Sequence, residues 1–233
     1  MKTTLIIPTL NEIDGVKEIM PRIKPGWVDQ IIIVDGNSTD GTVEYLAQKG
    51  YFVHSQEQDG MRNAYLEILP YVEGDIVITF SPDGNSIPEL IPQLVQKMKE
   101  GYDLVIVSRY LDNAKSEDDN FISALANKTF TGTINLLFGG RYTDSMVIYR
   151  AYKKSLIYSL GLDQDSSYGF PEKLVGKPMS WEMLQSIRAA KKKLKVAEIP
   201  GDEPRRVDGT ARTQWRWGFA YILQVFREVF VWR

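Results

Sequence analysis

The sequence predicts an α/β protein, a mostly parallel central sheet flanked by helices, and three observations carry that prediction. Short β-branched runs alternate with stretches of helical period through the first half of the chain. Several of these runs are apolar at consecutive positions, the pattern of strands covered on both faces. Polar, glycine-bearing segments follow them, where an open α/β sheet places its ligand site.

The strands read as TTLIIPT (3–9), QIIIVDG (30–36), YFVHS (51–55), DIVITF (75–80) and DLVIVS (103–108). Between them 11–23, 39–50, 60–72 and 87–101 have helical period, and Gly50 serves as a stop for the second of these. A longer helix is predicted over 120–140, a strand over 144–150, a helix over 180–193 and a last strand over 194–200. The chain closes with helical period over 212–233. No repeat or break in composition divides the 233 residues, so one domain over 1–212 is expected, with 213–233 as a carboxyl-terminal amphipathic helix.

Hydrophobic residues make up 43% and charged residues 25%, the balance of a soluble globular protein. Lysine and arginine number 28 against 30 acidic residues, so no basic excess points to nucleic acid and any phosphate site must be local. The absence of cysteine excludes disulfides, thiolate zinc sites and cysteine nucleophiles. The first residues lack the apolar core of a signal peptide, which predicts a cytoplasmic protein.

Three loops on one edge of the sheet carry the candidate chemistry. They are Pro8-Thr9-Leu10-Asn11-Glu12, Asp35-Gly36-Asn37-Ser38-Thr39-Asp40-Gly41 and Ser81-Pro82-Asp83-Gly84-Asn85. Singly, Asn11 and Asp40 read as helix caps, and Asp35-Gly36 and Asp83-Gly84 as turns. Together, at successive strand ends, they form a pocket for hydroxyls, amides and a cation. His54, the only histidine, has no companion ligand and reads as structural. There is no Walker motif, GxGxxG or GxSxG.

IIPTLNE, VDGNSTDGT and SPDGNSIPE resemble the successive motifs of family 2 glycosyltransferases, particularly the polyprenol- and dolichol-phosphate sugar transferases. VSRY (107–110), DSMVIYRAY (144–152) and AEIP with RRVDGTAR (197–212) continue the resemblance in order. It implies a GT-A fold and an inverting transfer from a UDP- or GDP-sugar to a polyprenyl-phosphate or glycan acceptor, assisted by Mg2+ or Mn2+. It further implies that Pro8, Asn11, Glu12, Asp35, Arg62 and Ser81 bind the donor, with Glu12 on ribose hydroxyls and Asp35 on a base N–H. Asp83 and Asn85 fall at the metal position, and Arg109, Arg150, Arg206 and Arg212 at positions where a guanidinium can bind phosphate. Glu182 is the candidate base for a hydroxyl acceptor. Residues 201–212, rich in glycine, proline and charge, read as a flap over the donor.

Two departures stand out. The family's first metal-site aspartate is Ser81 here, and its Ser-Gly before the aromatic residue and arginine is Val147-Ile148. The first leaves open a non-catalytic nucleotide-sugar-binding module. A sugar nucleotidyltransferase is the remaining alternative, although PTLNE lacks that class's glycine- and arginine-rich loop.

In the last segment Phe219, Ile222, Leu223, Phe226, Val229 and Phe230 recur at intervals of three and four, one apolar helical face. Gln224, Arg227 and Glu228 interrupt it, and it falls short of the roughly 20 residues of a membrane span. Core, a partner helix such as that of a homodimer, or the membrane surface can cover it. Trp215, Trp217, Tyr221 and Trp232 with Arg212, Arg216, Arg227 and Arg233 form a fringe suited to peripheral contact at the inner face of the membrane.

Overall fold

The computed structural model describes residues 1–176, 179–207 and 215–230. Strands β1 (Thr3–Thr9), β2 (Gln30–Asp35), β3 (Phe52–Ser55), β4 (Ile76–Thr79), β5 (Leu104–Ser108), β6 (Arg150–Lys153) and β7 (Val196–Pro200) form one sheet. Its order is β3-β2-β1-β4-β6-β5-β7. Only β6 runs antiparallel, between β4 and β5. Thr9 and Asp35 lie side by side in the β1–β2 register, which brings the first two polar loops together at the carboxyl edge.

The consecutive apolar residues of the strands divide between two cores, as side-chain alternation requires. Leu5, Ile7, Ile33, Ile78 and Val105 face a core completed by α1 (Ile13–Ile19), α2 (Thr42–Gln48) and α4 (Ile91–Lys99). Ile6, Ile32, Val34, Val77 and Ile106 face the other, completed by α3 (Met61–Ile68) and by the second half of the chain. That half contributes α5 (Phe121–Phe138), α6 (Ser155–Ser159), α7 (Gly169–Val175), α8 (Glu182–Lys191) and α9 (Trp215–Phe230).

Local signals set the element ends. Asn120 caps α5 by accepting from the Ile122 and Ser123 N–H groups, and Gly139 closes it at φ +74°. α2 starts at Thr42 rather than Thr39 because Asp40 accepts from both the N–H and the hydroxyl of Thr42. The strand predicted over 144–150 is displaced to β6 and shares only Arg150 with it, because Asp144 and Ser145 are held in a side-chain network instead of a ladder. The sequence reading also passed over α6 and α7, which are too short to show a clear period.

The carboxyl-terminal helix divides between two environments. Ala220, Gln224, Val225 and Glu228 of α9 are buried, and Arg188 of α8 meets Glu228 at 2.9 Å. Phe219, Ile222, Phe226 and Phe230 are exposed. Tyr221 packs edge-on against Phe130, and Arg227 donates to Glu228 at 2.8 Å, so neither joins a free fringe. Among the described residues no helix is long and apolar enough to cross a membrane.

Candidate active site

Three loops converge at the carboxyl edge of β1, β2 and β4 and fasten one another. Asp35 is fully buried: the Thr9 and Ser38 hydroxyls donate to its Oδ1 at 2.7 and 2.6 Å, and Ser38 N–H donates to its Oδ2 at 2.7 Å. Asn11, at φ +53°, accepts from Thr39 N–H at 2.8 Å and donates its own N–H to Ser38 Oγ at 2.8 Å. Glu12 N–H donates to Thr42 Oγ1 at 3.1 Å; Glu12 is half-buried, as is Pro8 near the end of β1. The Asp35 carboxylate thus braces the loop.

The third loop is set by a close backbone approach. A Cβ on Gly15 of α1 would lie 2.5 Å from Pro82 O and 3.0 Å from Asp83 Cα, so α1 meets this loop without an intervening side chain. Backbone cannot yield as a flexible side chain does. Gly15→Ala therefore displaces Asp83, and overpacking of about 1–3 kcal/mol outweighs the roughly 1 kcal/mol that alanine gains in helix propensity. A lower urea midpoint is the expected result; a midpoint equal to or above the parent's would show that the loop has room to move.

The segment 203–207 lies over Asp83. Arg206 Nη1 is 2.9 Å from Asp83 Oδ2, and its Nε donates to Asp118 Oδ2 at 2.9 Å. Val207 N–H donates to Asp83 O at 2.9 Å, and a Cβ on Gly84, at φ +92°, would stand 2.6 Å from Val207 Cγ2. Asn85, also buried, donates to Glu203 Oε1 at 3.4 Å. Ser81 is half-buried at the start of this loop. The described part of the expected flap is thus closed over the aspartate; Arg212 lies outside the described residues.

Arg109, beyond the end of β5, is held by three carboxylates. Its Nε and Nη2 donate to Asp144 at 2.6 and 3.2 Å, its Nη1 donates to Glu203 at 3.2 Å, and Asp119 is 3.6 Å away. Burial disfavours the charged guanidinium, yet Asp144 and Glu203 override this and raise its pKa. Burial likewise pushes the Asp144 carboxyl up, and the contact with Arg109 reverses the shift to a net lowering. Glu203 is raised by burial, against the opposing effect of Arg109. Glu198 of β7 accepts from the Thr143 and Asp144 N–H groups, both at 2.9 Å to Oε1, and so positions this cage.

Three assignments require correction. Arg150 is fully buried and its donors are spent inside the protein: Nε on Val147 O at 2.8 Å, Nη1 on Glu182 O at 3.0 Å and Nη2 on Ser145 O at 3.2 Å. Glu182 is not on an exposed helix face; it is buried, accepts from Tyr65 OH at 3.1 Å, and burial raises its pKa against the influence of Arg150. Arg62 is buried in ion pairs with Asp165 at 2.8 Å and Glu172 at 2.7 Å, and lies over the Tyr168 ring. Arg62 is spent on carboxylates distant in sequence, Arg150 on backbone carbonyls, and Glu182 on the hydroxyl of Tyr65.

The site also gathers residues that motif reading left without a role: Asp118, Asp119, Asp144, Glu198 and Glu203. Asp144 and Glu198 stood inside quoted motifs, and Asp118-Asp119 inside the acidic run SEDDN, but nothing in one dimension pairs them with Arg109 and Arg206. Next to the Arg109 cage, α5 borders a groove of about 650 Å3 whose lining includes Tyr110, Phe121, Leu125, Lys128, Tyr142 and Thr143.

An open, mostly parallel sheet with its polar site at the carboxyl edge defines a GT-A-type α/β protein. The chain belongs to glycosyl transferase family 2, whose profile matches residues 4–161. It is 26% identical to a dolichol-phosphate mannosyltransferase of Pyrococcus furiosus, over 97% of this chain and 63% of that protein. It is 24% identical to an undecaprenyl-phosphate mannosyltransferase of Micrococcus luteus, over 86% of this chain and 82% of that one. The chain thus spans less than two thirds of the length of the Pyrococcus relative. In fold it is similar to glucosyl-3-phosphoglycerate synthase from Mycobacterium tuberculosis, solved with Mn2+, uridine diphosphate and glucosyl-3-phosphoglycerate. That match has a TM-score of 0.65 at 18% identity and covers 98% of this chain and 79% of the other.

Proposed function

We propose that this chain transfers a sugar from a nucleotide diphosphate sugar to a polyprenyl phosphate, with inversion at the anomeric carbon and with Mg2+ or Mn2+ as cofactor. The observation that carries the reading is the buried Asp83 beneath Arg206, beside the Arg109 cage and the apolar groove along α5. An anionic donor would need Arg206, and an isoprenoid chain would need that groove.

The donor set fits a hard divalent cation. Asp83 offers a carboxylate already facing a positive charge, and Asn85 and Ser81 offer neutral oxygens. Among the described residues no three or more acidic or histidine side chains are placed to hold a metal ion, so Asp83 would be the main protein ligand and the donor's phosphates would complete the shell. A bound cation neutralises charge on the departing diphosphate. The similar mycobacterial structure, holding Mn2+ and uridine diphosphate, supports this cofactor and leaves UDP and GDP donors both open.

In the reaction, a phosphate oxygen of the acceptor forms the new bond to the anomeric carbon while the bond to the nucleotide diphosphate breaks and its electrons leave with that group. Arg206 can turn from Asp83 to the diphosphate, whereas Arg109, held by Asp144, Glu203 and Asp119, fixes the loops beside the acceptor. A phosphate acceptor is already anionic and needs no base, which agrees with the burial of Glu182. A glycan hydroxyl would need one. The polyprenyl-phosphate specificity in the names of the Pyrococcus and Micrococcus relatives supports the same choice.

Incubation with UDP- and GDP-sugars, either metal, and undecaprenyl phosphate or an oligosaccharide, followed by mass analysis of products, tests the proposal. A glycosylated lipid phosphate is expected. Nucleotide binding without turnover on either acceptor would instead establish a binding module. Glu12→Ala is expected to weaken binding of the free nucleotide diphosphate about tenfold in calorimetry, the loss of one hydrogen bond to a charged group, with turnover at saturating donor kept. Unchanged affinity would remove Glu12 from the ribose.

A further inference from the structure

A fourth loop reaches the carboxyl edge. β3 pairs with β2 in parallel, with Ser55 opposite Asp35, so the residues after β3 arrive beside the Asp35 loop. Residues 56–60 are joined to that loop directly: Gln56 N–H donates to Asp35 O at 2.8 Å, and Asn37 Nδ2 donates to Gln56 O at 3.1 Å. Asn37 stands at φ +67°, a left-handed conformation that this contact helps to hold.

The loop has no helix or strand of its own, and its anchor is Glu67 in the last turn of α3. Glu67 Oε1 accepts from Gln58 N–H at 2.8 Å; Oε2 accepts from Glu57 N–H at 2.8 Å and lies 3.0 Å from His54 Nε2. Burial pushes the Glu67 carboxyl up, and the Glu57 N–H, His54 and the Gln58 N–H reverse this to a net lowering, which keeps the group ionised at neutral pH. An ionised carboxylate only accepts, so His54 Nε2 carries the hydrogen. The His54 ring lies against Tyr71, with centroids 5.9 Å apart. The Glu67 and His54 side chains are 16% and 19% exposed, so these bonds are shielded from water, unlike an ordinary surface pair. α3 meets the core through Ala64, Tyr65 and Ile68, so Glu67 is not needed to bury that helix.

We infer that Glu67 is a positioning residue for the nucleotide: with His54 behind it, it holds residues 56–60 as the wall of the donor pocket on the Asp35 side. The inference rests on the proposed nucleotide diphosphate sugar donor. Glu67 acts through the loop. Its carboxylate fixes the Glu57 and Gln58 N–H groups, these fix the backbone of Gln56, and Gln56 meets Asp35 O and the Asn37 side chain. Without the carboxylate two N–H groups lose their partner, and the wall loosens where the nucleotide is to be gripped. His54, the only histidine of the chain, thereby gains a role that its isolation in the sequence hid.

Calorimetric titration of UDP and of GDP into the full chain with Mn2+, alongside amide hydrogen exchange over residues 56–60, tests the inference. Glu67→Ala is expected to speed exchange at Glu57 and Gln58, and to weaken the nucleotide that the parent binds about tenfold, the scale of a hydrogen bond to a charged group. Glu67→Gln keeps the size and one acceptor oxygen and should fall between. His54→Phe keeps a ring on Tyr71 and removes the donor, so a smaller loss is expected; His54→Gln restores an N–H donor and should recover it. In turnover the donor KM is expected to rise in Glu67→Ala far more than kcat falls. Parental affinity in Glu67→Ala despite faster exchange would overturn the inference and confine the clamp to local structure. Parental exchange would show that no clamp exists. A parent that binds neither nucleotide would sink the proposed function and this inference with it, whereas failure of the Glu67 variants alone leaves that function standing.

Discussion

Asp83→Asn is expected to abolish sugar transfer while leaving the chain folded. The change keeps side-chain size and removes the only carboxylate in the proposed metal set, so the diphosphate loses the protein's main hold on its counter-ion. A loss of about 4 kcal/mol in transition-state stabilisation, roughly a thousandfold in rate, is the scale for such a ligand. Folding should survive because Asp83 O still accepts from Val207 N–H and the Gly15 contact is backbone to backbone. The measurement is product formation at saturating Mn2+ with urea unfolding alongside; retained turnover would remove Asp83 from the metal position. Arg206→Ala sharpens the assignment. Its guanidinium now holds Asp83 at 2.9 Å, so its loss is expected to tighten Mn2+ binding in the absence of nucleotide and to weaken binding of the nucleotide diphosphate.

Arg150→Met is expected to cost stability rather than to alter chemistry. The guanidinium is fully buried and donates to carbonyls of Val147, Glu182 and Ser145, groups that no solvent reaches once it is gone. Breaking a buried charged network from one side costs about 3–5 kcal/mol, which for a chain of this size lowers Tm by roughly 10 °C. Calorimetric unfolding decides the matter. A variant with parental stability and no transfer would return Arg150 to the substrate, whereas a destabilised one that turns over normally at low temperature confirms its place in the scaffold.

These two residues mark how far sequence reading carries. The edge position of Asp83 was legible because position on the chain and position on the sheet coincide: it follows β4, and every loop after a parallel strand arrives at the same edge. Arg150 also lies at that edge, opposite Thr79 in the β4–β6 register, but its side chain turns into a polar interior built by α8 and the loop at Ser145. Arg62 and Glu182 failed similarly, each meeting a partner more than a hundred residues away.

By itself the sequence determined the alternation of strands and helices in the first half, the mostly parallel sheet and the polar carboxyl edge, because those rest on local periodicity and on residues a few positions apart. The runs IIPT, IIIVD and IVIT are apolar on both faces, so burial from both sides follows without knowledge of what covers them. Only the tertiary structure decided which charges are spent and which face the site. Arg109 meets Asp144 and Glu203, Arg206 meets Asp83, and Arg188 meets Glu228, pairings fixed by where distant segments cross. It also decided that α5 and α9 turn their polar residues inward. Helical period tells which residues share a face, but the direction of that face depends on its neighbours, and here the neighbours offer Asp144, Ser145 and Arg188 inside and leave the phenylalanines and leucines outside.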